Sequence, residues 1–292
     1  MPAIEDVRHR IRHGLRQVAG ASEVLRTSRS TLLAVAELAR RYGGDAPVAG
    51  AHHGLGPFEL RAFSQNGEDG VIAEILRRCE ALEDGYFVEF GAQQGVENNC
   101  AALADLLGWR GLFIEGGERD HAVLERKYRP NDRVATRWAL VTPDNVETLF
   151  ADAGVPGEFD LLSIDVDGED YWIWEAIEAH RPRVVVIEYN SGLEPGRRLV
   201  QPRGTGPWSG TSFVGASLAA LESLGERKGY RLVHTDLTGN NAFFVRTDVP
   251  GDFPAPERVL RRGPNHWLRG EALQPDTEGR AYVDLDDAAP SP

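Results

Sequence analysis

From residue 64 onward, short apolar runs alternate with stretches of helical period, and this alternation sets the architecture. Apolar positions recurring every three to four residues predict helices over 68–79, 99–107, 119–127, 144–153 and 171–179. Between them, runs at 86–90, 111–115, 133–141, 159–165 and 183–189 predict strands. Strands this apolar, separated by helices, fit a parallel sheet covered on both faces. A helix over 213–229 then leads to a strand at 230–235, and Gly239-Asn240 marks a turn into a last strand at 242–246. The expected fold is a doubly wound, seven-stranded α/β sheet that ends in an antiparallel hairpin.

Ahead of this region, Ile4, Val7, Ile11, Leu15 and Val18 recur at helical spacing, with Arg8, Arg10, Arg12 and Arg16 between them. They predict an amphipathic helix suited to packing or homo-oligomerisation rather than to a membrane surface or nucleic acid. A second helix is expected over 31–42, stopped by Gly43-Gly44. Residues 46–57, rich in Gly, Pro and His, read as a linker. The expected organisation is a helical extension and linker over 1–57, a ligand-binding domain over 58–250, and a C-terminal extension over 251–292 whose last residues fray. The stretch 191–210 is too long for a simple connection and reads as a lid or an insertion.

Composition narrows the partners. With 292 residues, 41% of them hydrophobic, the chain can bury a sizeable core. A net charge of −13 argues against a nucleic-acid footprint and leaves a small molecule as the expected partner. Cys79 and Cys100 have no companions at zinc or redox spacing. No apolar run is long enough to cross a bilayer and no signal-peptide core is present, so a cytoplasmic location without a membrane partner is expected.

Candidate chemistry sits at strand ends. The first strand runs into Gly91-Ala92-Gln93-Gln94-Gly95, where glycines let backbone approach a ligand; the second ends in Glu115, placed to accept two ribose hydroxyls. Singly, the glycines could make only a tight turn and Glu115 could cap a helix; the combination points to a nucleoside. Asp165 and Glu188 end two further strands. Glu89-x-Gly91-x-x-x-Gly95, Glu115 and Asp165 in this order resemble the class I S-adenosylmethionine-dependent methyltransferases. Phe63-Ser64-Gln65-Asn66-Gly67-Glu68-Asp69-Gly70, Ser163-Ile164-Asp165-Val166-Asp167-Gly168 and Val186-Ile187-Glu188-Tyr189-Asn190 are similar to the FkbM-like group, many of whose members act on hydroxyls in natural-product or carbohydrate pathways.

The resemblance covers roughly residues 63–246 and implies S-adenosylmethionine contacts from Gln65, Glu89, Gly91, Gly95, Asn98, Asn99, Glu115 and Asp165. Ser64 also reads as a helix N-cap. Trp138 and Leu140 could flank an adenine, although packing into the core is the more usual fate of such residues.

A parallel sheet brings Asp165, Asp167, Glu188 and Asn190 to one edge. Oxygen ligands at Asp165, Glu188 and Asn190 would suit magnesium, which could lower the pKa of an acceptor hydroxyl. Without metal, Asp167 or Glu188 could act as general base, with His234 as a histidine alternative. Arg197, Arg198 and Arg203 could recognise an anionic acceptor, though exposed arginines are the ordinary outcome.

Four other readings compete. A nicotinamide enzyme expects Gly-x-Gly-x-x-Gly, which is missing. Asp165-Val166-Asp167-Gly168 resembles an aspartate-based phosphatase loop, but Glu169 stands where that family has a hydroxyl. A calcium loop at Asp165, Asp167 and Asp170 lacks the preceding helix. A non-catalytic nucleoside-binding or assembly protein on the same fold fits the motifs as well.

Overall fold

The computed structural model describes residues 37, 54–81, 83–206, 208–264 and 273–287. The expected helices at 4–18 and 31–42, and the oligomerisation they would serve, lie outside these residues apart from Glu37. Most of the linker and residues 288–292 also lie outside them. Among the described residues no helix is long and apolar enough to cross a membrane.

The strands are β1 (Tyr86–Phe90), β2 (Arg110–Glu115), β3 (Val134–Trp138), β4 (Glu158–Ile164), β5 (Arg181–Glu188), β6 (Leu199–Val200), β7 (Tyr230–Thr235), β8 (Asn241–Arg246) and β9 (Val283–Asp284). Seven of them form one sheet in the order β3-β2-β1-β4-β5-β8-β7, while β6 and β9 pair separately. Five strands run parallel; β8 is antiparallel to both β5 and β7, so the expected hairpin inserts its second strand next to β5.

Register makes the functional edge. Phe90 lies opposite Ile114, Glu115 opposite Trp138, Ile164 opposite Ile187, and Glu188 opposite Asn241. The parallel strands therefore finish level, and whatever follows each of them meets at one rim, where ligands bind in open α/β sheets.

Alternation along the strands fills both faces. Phe87, Phe113, Leu161, Val184 and Val186 pack on one side; Val88, Phe90, Leu112, Leu162 and Val185 pack on the other. The helices are α1 (Glu68–Arg78), α2 (Ala101–Asp105), α3 (Glu118–Tyr128), α4 (Val146–Ala153), α5 (Asp170–Ala176) and α6 (Leu218–Arg227). In α1, acids open the first turn and arginines close the last, as the helix dipole favours, and Glu74 pairs with both Arg77 and Arg78 at 2.7 Å.

Three boundaries differ from the sequence pattern for local reasons. The helix expected from 99 starts at Ala101 because the backbone N–H groups of Asn99 and Cys100 donate to Glu89. The helix expected from 213 starts at Leu218, since Ser217 caps it through Ala220 N–H at 3.2 Å. Strand β3 stops at Trp138, and residues 139–141 leave the sheet to line the cavity described below.

Candidate active site

A cavity of about 440 Å³ opens at the carboxyl rim, beside the turn after β1. Gly91 makes that turn possible. Its φ is +70°, and a Cβ placed there would lie 1.7 Å from the carbonyl oxygen of Asp165. The turn and the end of β4 thus touch backbone to backbone, an approach only glycine allows. Gln93 follows at φ +44°, and its N–H donates to Glu115 Oε2 at 2.6 Å, while Gly117 N–H donates to Oε1 at 2.6 Å. Both Glu115 oxygens are pinned by backbone donors, and the carboxylate still lines the cavity.

Glu89, Asn98, Asn99 and Gly95 lie behind this turn, outside the cavity lining. Glu89 accepts from Asn99 N–H and Cys100 N–H at 2.9 Å and from Asn98 Nδ2 at 3.3 Å. Asn98 also donates to Ala92 O, and Asn99 to Ser163 Oγ, both at 3.0 Å. Gly95 packs on α3, where a Cβ would meet Leu124 Cδ1 at 2.8 Å. These groups brace the turn that Gly91 and Gln93 present.

Burial pushes the Glu89 carboxyl up to about 7, outweighing the hydrogen bonds from Cys100, Asn99 and Asn98 that favour its ionised form. Relative to an unfolded glutamate, the folded protein binds the extra proton, so this contribution to stability is present at low pH and lost as pH rises through about 7. The melting temperature is expected to fall as pH rises from about 5 to about 8, and Glu89→Gln is expected to flatten that slope. Thermal melts across the range check it; an unchanged slope in the variant counts against the assignment.

Three further buried acids hold loops beside the cavity in the same way. Asp69 Oδ2 accepts the N–H groups of Ala62, Phe63 and Ser64, together with the Ser64 hydroxyl, all at 2.8 Å. Glu68 accepts from Asn66 and Gly67 N–H and from Asn241 Nδ2. This knot puts Gln65 in the lining. Helix α1 is preceded by Gly67, so Ser64 is not its N-cap, although Ser64 Oγ accepts from Asp69 N–H at 3.1 Å.

After β4, Asp170 accepts from Val166 N–H at 2.9 Å and Gly168 N–H at 3.0 Å. Asp167 is thereby held at φ +56°, a left-handed conformation that aspartate tolerates better than most residues. Burial pushes both Asp69 and Asp170 up to about 6.

Asp165, Asp167 and Glu188 converge, each with a carboxylate oxygen within 4.8 Å of the other two. Desolvation and then the charges of Asp170 and Asp167 hold the Asp165 carboxyl well above the usual range, while desolvation followed by Glu115 raises Asp167. Three hard oxygen donors suit a divalent cation such as magnesium. Asn190, expected as a ligand, is placed elsewhere: its Nδ2 donates to Ser212 O, Val214 O and Tyr282 Oη, and its Oδ1 accepts from Gly192 N–H.

Other candidates settle plainly. His234 is buried against Glu59 at 3.0 Å, outside the lining. Arg197, Arg198 and Arg203 pair with Asp284, Asp286 and Asp144. Trp138 and Leu140 are not core residues: they are 56% and 71% exposed, and Leu140 lines the cavity with Ala139 and Val141. Sequence reasoning passed over Gln93, Asn240 and Leu273 in the lining. Asn240 belongs to the turn already read at Gly239-Asn240, but nothing local marks Leu273.

Strand order decides the fold: parallel β3-β2-β1-β4-β5 continued by an antiparallel β8 and then β7 is the arrangement of a Rossmann-like methyltransferase sheet. The fold is that of the class I methyltransferases. No protein-family model matches the sequence, and no curated protein is similar to it. Solved structures similar to this methyltransferase fold include the N-terminal domain of EvdMO1 with S-adenosylhomocysteine bound, at 20% identity and a TM-score of 0.41 over 65% of this chain and 82% of that one. A putative RNA methyltransferase from Pyrococcus horikoshii matches at 14% identity and 0.40, over 76% and 98%. Aeropyrum pernix fibrillarin with natively bound S-adenosyl-L-methionine matches at 14% and 0.37, over 56% and 66%. The fold stands on the strand order.

Proposed function

We propose that the protein is an S-adenosylmethionine-dependent methyltransferase acting on the oxygen of a small-molecule hydroxyl. The observation that carries this reading is the charge of the cavity. Glu115, Asp165, Asp167 and Glu188 line it, and among its described lining residues there is no Lys, Arg or His. S-adenosylmethionine brings a sulfonium and an ammonium group, and such a wall attracts both. A dinucleotide would place its pyrophosphate, and a phosphatase substrate its phosphate, against these acids, with no Lys, Arg or His among the described lining residues to meet it. The pinned Glu115 offers its remaining lone pairs to the two ribose hydroxyls, and the close-approach turn at Gly91 lies beside it.

In this reading β1, β2 and residues 139–141 hold the donor, with Gln65 and Asp165 near its amino-acid end. The acceptor hydroxyl enters from the β4 and β5 side. Asp167 or Glu188 takes the hydroxyl proton as the oxygen attacks the methyl carbon; the carbon–sulfur bond breaks in line, leaving a methyl ether and S-adenosylhomocysteine. A magnesium ion held by Asp165, Asp167 and Glu188 would lower the pKa of that hydroxyl. The motif segments around Gln65, Asp165 and Glu188 support placement in the FkbM-like group and, with it, a role in natural-product or carbohydrate metabolism.

Calorimetry with S-adenosylhomocysteine and NAD⁺, followed by transfer of labelled methyl groups to hydroxylated metabolites, tests the reading. Binding of the former alone, with turnover, is the expected result. Tighter binding of NAD⁺ removes the reading, and nucleoside binding without any turnover favours a non-catalytic binding protein. Chelation is expected to abolish turnover with affinity for S-adenosylhomocysteine intact; undiminished turnover removes the metal.

A further inference from the structure

We propose that Trp208 selects the acceptor. It is the plate against which a ring-shaped molecule lies while one of its hydroxyls meets the acids of β4 and β5, and Arg280 of the C-terminal segment is the residue that positions it. This rests on the methyl-donor reading and narrows its acceptor to hydroxylated rings, saccharide or phenol.

Trp208 lines the cavity together with Val214 and Leu273 and is 39% exposed, whereas Trp109 and Trp174 are buried in the core. Its one polar group is spent within its own loop, where Nε1–H donates to Thr211 O at 2.7 Å. What the side chain offers the cavity is therefore carbon surface. Asp165, Asp167 and Glu188 line the same cavity and bring carboxylate oxygens. An apolar plate combined with hydrogen-bond acceptors is complementary to a ring, which has an apolar face and carries its hydroxyl donors around the edge. An open-chain polyol has the same donors but no fixed face, and it must give up several torsional freedoms to lie flat.

The plate is held from the far end of the chain. Arg280 Nη2 donates to Ser209 Oγ at 3.0 Å and to Thr211 Oγ1 at 2.9 Å, so one guanidinium ties down the loop whose carbonyl holds the indole. Arg280 is itself fixed by Asp276 at 2.7 Å and stacks 4.6 Å from the centre of the Phe213 ring. Around it, Ser212 N–H donates to Gln274 O at 2.7 Å, and the Tyr282 hydroxyl accepts from Val214 N–H at 3.0 Å. The guanidinium lies outside the cavity lining, so its effect on an acceptor passes through the residues it holds. A planar fork that binds a carboxylate and two hydroxyls at once is a task for arginine, which a lysine ammonium at the same place would not reproduce.

The test uses the full chain and labelled S-adenosylmethionine against ring acceptors, a set of methyl hexopyranosides and an ortho-diphenol, and against open-chain ones, the hexitols and a 1,2-alkanediol. Binding of S-adenosylhomocysteine is measured in parallel by calorimetry. The expected result is methylation of a ring acceptor with kcat/KM at least about tenfold above the open-chain compounds, and whether the hexopyranosides or the diphenol lead tells saccharide from phenol. Trp208→Ala is expected to raise the KM for that acceptor at least about tenfold, by more than it lowers kcat, with the Kd for S-adenosylhomocysteine unchanged. Trp208→Phe, which keeps an aromatic face, is expected to recover part of the loss. Arg280→Lys is expected to raise the same KM in the otherwise native chain and to add nothing to Trp208→Ala, as for two residues acting through one contact. Equal turnover of open-chain compounds, an unchanged KM in Trp208→Ala, additive effects of the Arg280 and Trp208 changes, or no turnover of any ring acceptor by protein that binds S-adenosylhomocysteine overturns the inference. Loss of S-adenosylhomocysteine binding in both Trp208 variants overturns it as well, because the indole would then serve the donor or the fold. Failure of the native chain to bind S-adenosylhomocysteine overturns the donor reading, and this inference with it.

Discussion

Glu115→Ala is expected to weaken binding of S-adenosylhomocysteine by at least about 100-fold, read by calorimetry. Hydrogen bonds to a charged group contribute about 1.5–3 kcal/mol each, and on the proposed reading the carboxylate accepts two from the ribose. Their joint loss corresponds to two or more orders of magnitude in Kd. The alanine also releases Gln93 and Gly117 N–H, each held at 2.6 Å by Glu115, so the turn loses its preorganisation. Glu115→Gln keeps the length and one acceptor oxygen, and a loss of about tenfold is expected there. Wild-type affinity in both variants would remove the ribose from this position.

Gly91→Ala is expected to destabilise the folded protein by more than about 3 kcal/mol, enough to lower the yield of folded protein sharply. A methyl group 1.7 Å from the Asp165 carbonyl oxygen cannot be absorbed by a rotamer change, because both sides of the contact are backbone. The turn would have to withdraw from β4 and take the mouth of the cavity with it.

Two other glycines grade the effect. Gly95, at φ +74°, would push on the flexible end of Leu124, so an intermediate loss is expected. Gly108, at φ +64°, has nothing within 4 Å of the added carbon, which leaves the left-handed conformation alone, costing about 1 kcal/mol. Chemical denaturation of the three alanine variants checks the order. A Gly91 variant no less stable than the Gly108 variant would mean that the turn and β4 do not meet.

Much of the rim was legible in the chain. Tyr86–Phe90 and the apolar runs after it declare themselves as strands, since side chains facing two covered layers must be apolar throughout. Acidic residues at the ends of such runs stand out against them, which is how Glu115, Asp165 and Glu188 were found. What the pattern did not separate was their allegiance. Glu68, Asp69, Glu89 and Asp170 look equally like ligand contacts in one dimension, yet each is turned toward backbone N–H groups of its own loop. Only the path of those loops fixes how many donors each carboxylate meets.

The same holds for the arginines after β5. Their sequence allowed anion recognition, but their partners Asp284 and Asp286 lie far along the chain and arrive through the pairing of β6 with β9. Trp138 and Leu140 could be read as core or as adenine contacts, yet the sheet ends at Trp138, both are exposed, and only Leu140 lines the cavity.

The sequence by itself determined the strands, the helices between them, the hairpin at the end, and the glycine on which the first turn depends. These follow from side-chain period and backbone sterics, which act between near neighbours. The tertiary structure decided which acids face the cavity, which brace it from behind, and that Leu273 lines it. Those choices depend on groups distant in the chain becoming close in space, and no local pattern records that distance.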